Sequence, residues 1–394
     1  MIAFISLCVT IFLMFFQPVS VFPVWEKYQP LRNAAILALL LFILSKKERN
    51  ASFVSNKINV FFILFMAMQV ISSSQIWLRE SLETFNFWLK IGIVYFLIIN
   101  SVTDERKVKW ILVSIIAAIS YLGYYSIEKF IVSYAPGVRA SGFGWYENPN
   151  DLAIILVSVI PFVMLMFNLS DSGFIRLLFL LTAGIFSFII LFTGSRNGLL
   201  GLAIVGILSI KTSDKIKGVL KPLFTIILIF FMASIGIKGV LSRQDAVSGL
   251  RGDDSAESRI IQWKAGWRML LSNPLFGVAP GQFRENAADY GGIRGLDPHN
   301  TFVQVYSETG VLGGLFFTFF SFFSFWGAVK IIKQSREKSK DHRMIILRFL
   351  CISLIGFWVC AFFSNRYQFY ILYVIVALLV AVQNQPTQKG LKAK

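Results

Sequence analysis

Charge is scarce in this chain, and histidine and cysteine are nearly absent. Only 15% of the 394 residues are charged, against about 25% in an ordinary soluble domain. Apolar residues make up 56%, 40 of them Phe, and apolar runs of about 20 residues, the length that crosses a bilayer, recur from end to end. A soluble enzyme with one anchor is excluded. The three cysteines, Cys8, Cys351 and Cys360, all lie in apolar runs with neither metal-ligand nor disulfide spacing, which argues against a zinc site or a disulfide scaffold. No Walker loop, GxGxxG, HExxH or GxSxG is present, so nucleotide-driven transport and zinc hydrolysis lose their usual signatures. The opening MIAFISLCVTIFLMFF lacks a basic n-region and a small-residue cleavage site, and reads as a retained first span.

What is present is an all-α polytopic membrane pattern of about 12 transmembrane helices. They fall near 2–22, 31–45, 58–78, 85–101, 108–132, 151–168, 174–193, 197–210, 219–241, 300–329, 344–363 and 367–382. With both termini cytoplasmic, the inner loops hold 21 of the 38 Lys and Arg residues and the short outer loops with their span ends hold 8, so the positive-inside rule fixes the orientation. The net charge of +17 is thus mostly topological. Spread over six membrane-proximal loops rather than gathered in one stripe, it points to anionic membrane lipid and not to nucleic acid. Four regions follow: spans 1 to 9 over 1–241, an extracytoplasmic loop subdomain over 242–298, spans 10 to 12 over 299–382, and a solvated cytoplasmic tail over 383–394.

Inside the large outer loop, DDSAESRIIQWKAGWRMLLSNP offers Asp254 as an N-cap with Glu257 three residues on, and Asn273-Pro274 as a stop. The spacing predicts an amphipathic helix of about 18 residues. Ile260, Trp263, Trp267, Leu270 and Leu271 share one face of it, suited to lie on the outer membrane interface.

The topology gathers four polar stretches at the outer helix ends: 139–153, 192–202, Arg259 in the loop helix, and 297–314. Arg196 sits between two apolar runs, where a charge costs about 2.5–3.5 kcal/mol if held at depth. It marks either a wet, partnered site or an interface where the side chain snorkels. Arg259, alone, would suit a solvated helix surface. His299 opens a long span, with Asn300, Gln304 and Glu308 following at intervals of four down one face. Taken singly, it would serve as a helix-start residue. Together, two guanidiniums and an imidazole beside an apolar bundle suit a lipid-tailed phosphate substrate: arginine binds phosphate oxygens bidentately, and histidine accepts a proton near neutrality. Group transfer from a lipid phosphate is the expected chemistry.

At these same residues the chain resembles the bacterial O-antigen ligase and O-antigen polymerase superfamily. The resemblance rests on ENPND after Arg139, TGSRNG around Arg196, the run from Arg259 through NPLFGVAPGQF to Phe283, and PHNTFVQVYSETGVLG from Pro298. It implies a metal-independent, inverting glycosyltransferase of the multi-span type, without a cofactor, in the bacterial inner membrane with its active site facing the periplasm. The donor would be a polyprenyl (undecaprenyl) diphosphate-linked glycan and the acceptor a glycolipid such as lipid A-core. By the same resemblance Arg196 and Arg259 would bind the diphosphate and His299 would act at the acceptor hydroxyl. Arg139, Asn148, Asn150, Asn300 and Glu308 would bind substrate or support packing. The single large loop between spans nine and ten leans towards a ligase. An R-x10-G spacing associated with polymerases, Arg284 to Gly295, is as frequent as chance allows among 17 arginines and 28 glycines. A repeat-unit polymerase is the alternative within the superfamily. From another class, a lipid-linked glycan flippase would need midplane polar breaks and an internal repeat, and no repeat is found. A purely structural membrane protein is the third possibility.

Overall fold

The computed structural model describes residues 1–45, 55–133, 135, 138–212, 256–334, 341–362 and 364–385. The expected ninth span at 219–241, the Asp254 cap and most of the tail lie outside them.

The described residues fold as helices without strands. In chain order the longer ones are α1 (Ile2–Phe16), α2 (Pro30–Leu44), α3 (Lys57–Ser73), α4 (Leu78–Ser101), α5 (Glu105–Val132), α6 (Pro149–Leu169), α7 (Gly173–Phe192), α8 (Arg196–Thr212), α9 (Ala256–Ser272), α10 (Thr301–Gln334), α11 (His342–Ala361) and α12 (Tyr370–Gln383). Seven helical stretches are long and apolar enough to cross a membrane, and α1, α3 and α12 are shorter apolar helices. Their caps are encoded locally. Asn56, Asp104, Asn148, Ser172 and Asp341 each accept a backbone N–H of the helix they begin.

Helix α6 is the centre of the bundle, apolar on every side and buried along most of its length, with α5, α7, α8 and α11 packed around it. A helix apolar all round has no face for water and takes the middle. Pro161 removes one of its internal hydrogen bonds, and close by Ser353 of α11 donates to the Ser158 carbonyl at 2.5 Å. The outer helices reverse the soluble pattern: Leu177, Leu178, Leu181, Ile185 and Phe188 of α7 face outwards, as a lipid-facing surface requires.

Two expected spans are broken. The first run ends its helix at Phe16, because Gln17 adopts a left-handed conformation (φ 50°) before a short second helix, Pro18–Val21. Helix α10 is interrupted at Gly310 (φ 70°, ψ −171°). The backbone groups freed there are taken up by the 274–278 segment and by Ser72. Val311 N donates to the Pro274 carbonyl at 2.8 Å, and Val278 N to that of Ser307 at 2.9 Å. The Ser72 hydroxyl lies between the Glu308 carbonyl, 2.8 Å away, and that of Phe276. Non-helical backbone at membrane depth survives only when protein satisfies it in this way. Gly277, also left-handed (φ 67°), lies so close to Ser307 and Glu308 that a Cβ would collide with their backbone.

The loop helix forms as α9. Ile260, Trp263, Trp267 and Leu271 point outwards, but Leu270 is buried, unlike the expected five-residue face. Its partners explain this: Ser258, Gln262, Ala265 and Met269 make the inward face, and Leu270 lies on their flank, against protein rather than lipid.

The helix ends segregate. At one end the 140, 151, 276, 301 and 366 regions hydrogen-bond to one another or to neighbouring helices. At the other, Arg343 reaches the carbonyls of Val382 and Gln383, and His342 lies 3.2 Å from Glu105. An apolar cavity of about 1090 Å³ between α1 and α5 opens there, with Arg106 and Lys107 in its wall.

Candidate functional site

Arg196 owes its place to a tight turn. Helix α7 ends with Gly194 in the left-handed conformation (φ 59°), the usual glycine stop. Ser195 then accepts the Gly198 N–H at 3.2 Å and starts α8. Arg196 is therefore the first residue of α8, exposed, where the positive end of the helix dipole and a guanidinium together attract an anion. Arg139 braces the turn from outside: its Nε donates to the Thr193 carbonyl at 2.5 Å and its Nη2 to Asn150 Oδ1 at 3.0 Å. Asn148 caps α6 through the Asn150 N–H at 2.8 Å. Arg139, Asn148 and Asn150 thus form one connected group tied to the turn that precedes Arg196.

His299 has a left-handed backbone (φ 47°), a conformation that costs a non-glycine residue energy and persists only where its surroundings enforce it. Its neighbours are fixed on both sides. The Pro298 carbonyl accepts Trp263 Nε1 at 2.8 Å, and Gln262 binds the carbonyls of Ile293 and Leu296 at 3.0 and 2.6 Å. On the other side, Asn300 Oδ1 caps α10 by accepting the N–H groups of Phe302 and Val303. Thr301 Oγ1 donates towards the carbonyls of Ala361 and Ser364 at 3.0 and 2.8 Å. Arg259 lies one turn before Trp263 on α9, so the helix that holds His299's approach also carries Arg259.

The stripe below His299 is buried. Gln304 Nε2 donates to Glu308 Oε1 at 3.0 Å and the Tyr367 hydroxyl to Oε2 at 2.7 Å. The N–H groups of Gly281 and Phe283 add to these. Four donors from three chain segments converge on one carboxylate, so Glu308 ties the 277–283 loop to α10.

Two residues of this site were not singled out from the sequence. Arg366 binds Asp151 through Nε at 2.5 Å and Nη2 at 2.6 Å, a bidentate pair, and its backbone N–H meets Thr301 Oγ1 at 3.1 Å. Asp151 is buried and also lies within the electrostatic reach of Asp297 and His299. Arg366 lies between two apolar runs as Arg196 does, a signal the sequence carries. Next to this pair opens a polar cavity of about 530 Å³, walled by the 144–151 and 365–369 segments with Arg284 and Asp297.

No curated protein matches the chain. Residues 156–318 match the sequence model of a family described as O-antigen ligase. This stretch contains Arg196, Arg259, His299, Asn300 and Glu308, while Arg139, Asn148, Asn150, Asp151 and Arg366 fall outside it. Residues 156–318 are therefore similar to the O-antigen ligase family, in a chain whose described residues are helical and include seven helices long and apolar enough to cross a membrane.

Proposed function

We propose that the protein is a glycosyltransferase that moves a glycan from a polyprenyl diphosphate to an acceptor hydroxyl, lipid A-core first among acceptors, at the outer face of the cytoplasmic membrane. Arg196 and Arg259 hold the diphosphate, and His299 receives the acceptor proton. The acceptor oxygen bonds to the anomeric carbon, the bond from that carbon to the diphosphate oxygen breaks, and the diphosphate leaves with the electron pair. A diphosphate is already a good leaving group, so neutralising its growing charge and aligning the acceptor supply most of the catalysis.

The observation that carries this reading is the enforced left-handed backbone of His299, close to the Asp151–Arg366 pair. It lies in the stretch that matches O-antigen ligases and that also holds both arginines. Strained backbone of this kind concentrates at working sites.

The test is reconstitution of the purified protein with a polyprenyl diphosphate-linked oligosaccharide, with and without lipid A-core, alongside His299→Ala. One glycan transferred to lipid A-core, dependent on His299, is the expected result. A ladder of longer lipid-linked glycans without added acceptor would make it a polymerase. No glycosidic bond in either case, with the donor still bound, would remove the transferase reading.

A further inference from the structure

The cavity of about 530 Å³ beside the Asp151–Arg366 pair has a chemistry distinct from that proposed for the diphosphate. Its size lies within the range of ligand pockets, about 300–1,000 Å³. Two guanidiniums reach it, and each already has a carboxylate beside it. Arg366 gives Nε and Nη2 to Asp151, while its Nη1 faces the Asn365 carbonyl at 3.4 Å. Arg284 donates to the Gly295 carbonyl at 2.9 Å and lies 3.7 Å from Asp297. Against these two cations stand three carboxylates, Glu147, Asp151 and Asp297, so Glu147 remains as surplus negative charge. A diphosphate would be repelled here.

The rest of the wall suits a neutral, hydroxyl-rich ligand. Glu147 and Asn148 sit on one side and Asn365 and Gln368 on the other, offering acceptors and amide donors at several angles. Asn365 is 7% exposed, and its Oδ1 is buried with no hydrogen-bond partner among the described residues, an acceptor that a small turn of the amide would offer to a ligand hydroxyl. Trp145, 38% exposed, supplies aromatic surface at the same wall, with the buried Phe369 packed behind it. Apolar faces with convergent polar groups are what a sugar ring needs, since each ring presents both C–H faces and hydroxyls.

The position agrees with this chemistry. Asp151 joins the cavity to His299 electrostatically, and both main walls, 144–151 and 365–369, lie outside the family-matching segment 156–318. The residues proposed for bond formation sit inside that segment, which gives the cavity only Arg284 and Asp297, while the two main walls flank it in sequence.

We infer that this cavity is a saccharide subsite, taking uncharged sugar residues of the glycan adjoining the reacting bond. The assignment rests on the transferase reading for the identity of the glycan, and the sugars reach it either on the lipid-linked donor or on the glycolipid acceptor.

The test measures binding of three probes to the purified full-length protein in nanodiscs. They are bare polyprenyl diphosphate, the polyprenyl diphosphate-linked glycan, and the lipid A-core acceptor, the last two extracted from the cells that make the protein. Glu147→Gln, Gln368→Ala and their combination are compared with wild type. The expected result is a loss of about ten-fold per substitution for one sugar-bearing probe and unchanged binding of bare polyprenyl diphosphate. Which probe responds identifies the donor or the acceptor as the source. An equal loss for the bare diphosphate would show a phosphate site and overturn the inference, as would unchanged binding of both sugar-bearing probes in the double variant. Sugar binding through this cavity without any bond formation would keep the subsite and discard the transferase reading, so the two failures are distinct.

Discussion

Arg366 grips Asp151 with two guanidinium nitrogens, at 2.5 and 2.6 Å, across 215 positions of sequence. The pair joins the first turn of α6 to the segment that links α11 and α12, and the Arg366 N–H carries the link on to Thr301, two residues past His299. One ion pair therefore fixes three chain segments around the histidine.

Removing one member of this pair leaves the other buried without compensation. Asp151→Ala and Arg366→Ala should each destabilise the protein by about 3 kcal/mol, and the double variant should recover part of that loss. Thermal unfolding in detergent measures it. Singles that match wild type would mean that the pair contributes nothing to the fold.

The Glu308 cluster should lose stability in steps. Tyr367→Phe removes one hydrogen bond to a carboxylate, about 1.5–3 kcal/mol. Glu308→Ala strands Gln304 and the N–H groups of Gly281 and Phe283 as well, so its midpoint should fall further. Limited proteolysis of the 277–283 loop should accelerate in the alanine variant, and equal cleavage rates would show that the carboxylate does not hold the loop.

Glycines on α10 should divide by environment. Gly310→Ala meets a positive φ and the Leu275 carbonyl, whereas a Cβ at Gly327 has nothing within 4 Å. The first should cost about 1–3 kcal/mol. The second should be neutral or stabilising by up to about 1 kcal/mol. Similar melting temperatures for the two variants would contradict the break described at Gly310.

At His299 backbone and side chain can be separated. Asparagine tolerates the left-handed region, so His299→Asn should keep the melting temperature of wild type, while activity in the reconstituted assay falls about 10²–10⁴-fold for loss of a proton acceptor. Retained activity in this variant would assign His299 a structural role only.

Arg196→Lys keeps the charge and loses the planar fork. Donor affinity should drop about ten-fold or more with the fold intact, read by titration with polyprenyl diphosphate. Unchanged affinity would remove Arg196 from the diphosphate site.

Legibility in the sequence followed the range of the interaction. The apolar helices and α9 depend on neighbours within one or two turns, and their local patterns are readable. The place of Leu270 differs because a helical wheel assigns faces without knowing what the helix rests on, and Gln262 on the polar inward face serves a loop about 30 residues on. The break at Gly310 was hidden for a similar reason. Nothing in ETGVLGG demands an interruption, and the groups that stabilise it come from Ser72 and from Pro274 to Val278. His299, Arg196 and Arg259 stood out by chemistry against an apolar background. Arg366 carried the same signal, but its meaning depends on Asp151, which no local pattern links to it.

The hydrogen bonds between 274–278 and the interrupted helix α10 also decide how the protein can be taken apart. Excised as a soluble fragment, the segment carrying α9 and 274–278 would lose the Ser307 carbonyl and Val311 N–H that its backbone uses. The remaining membrane part would carry a half-helix with unanswered polar groups facing hydrocarbon. Neither piece is a self-sufficient unit, so affinity tags, fusions and antibody epitopes belong at positions away from 273–283. Labels in that stretch would report on the membrane bundle as much as on the loop.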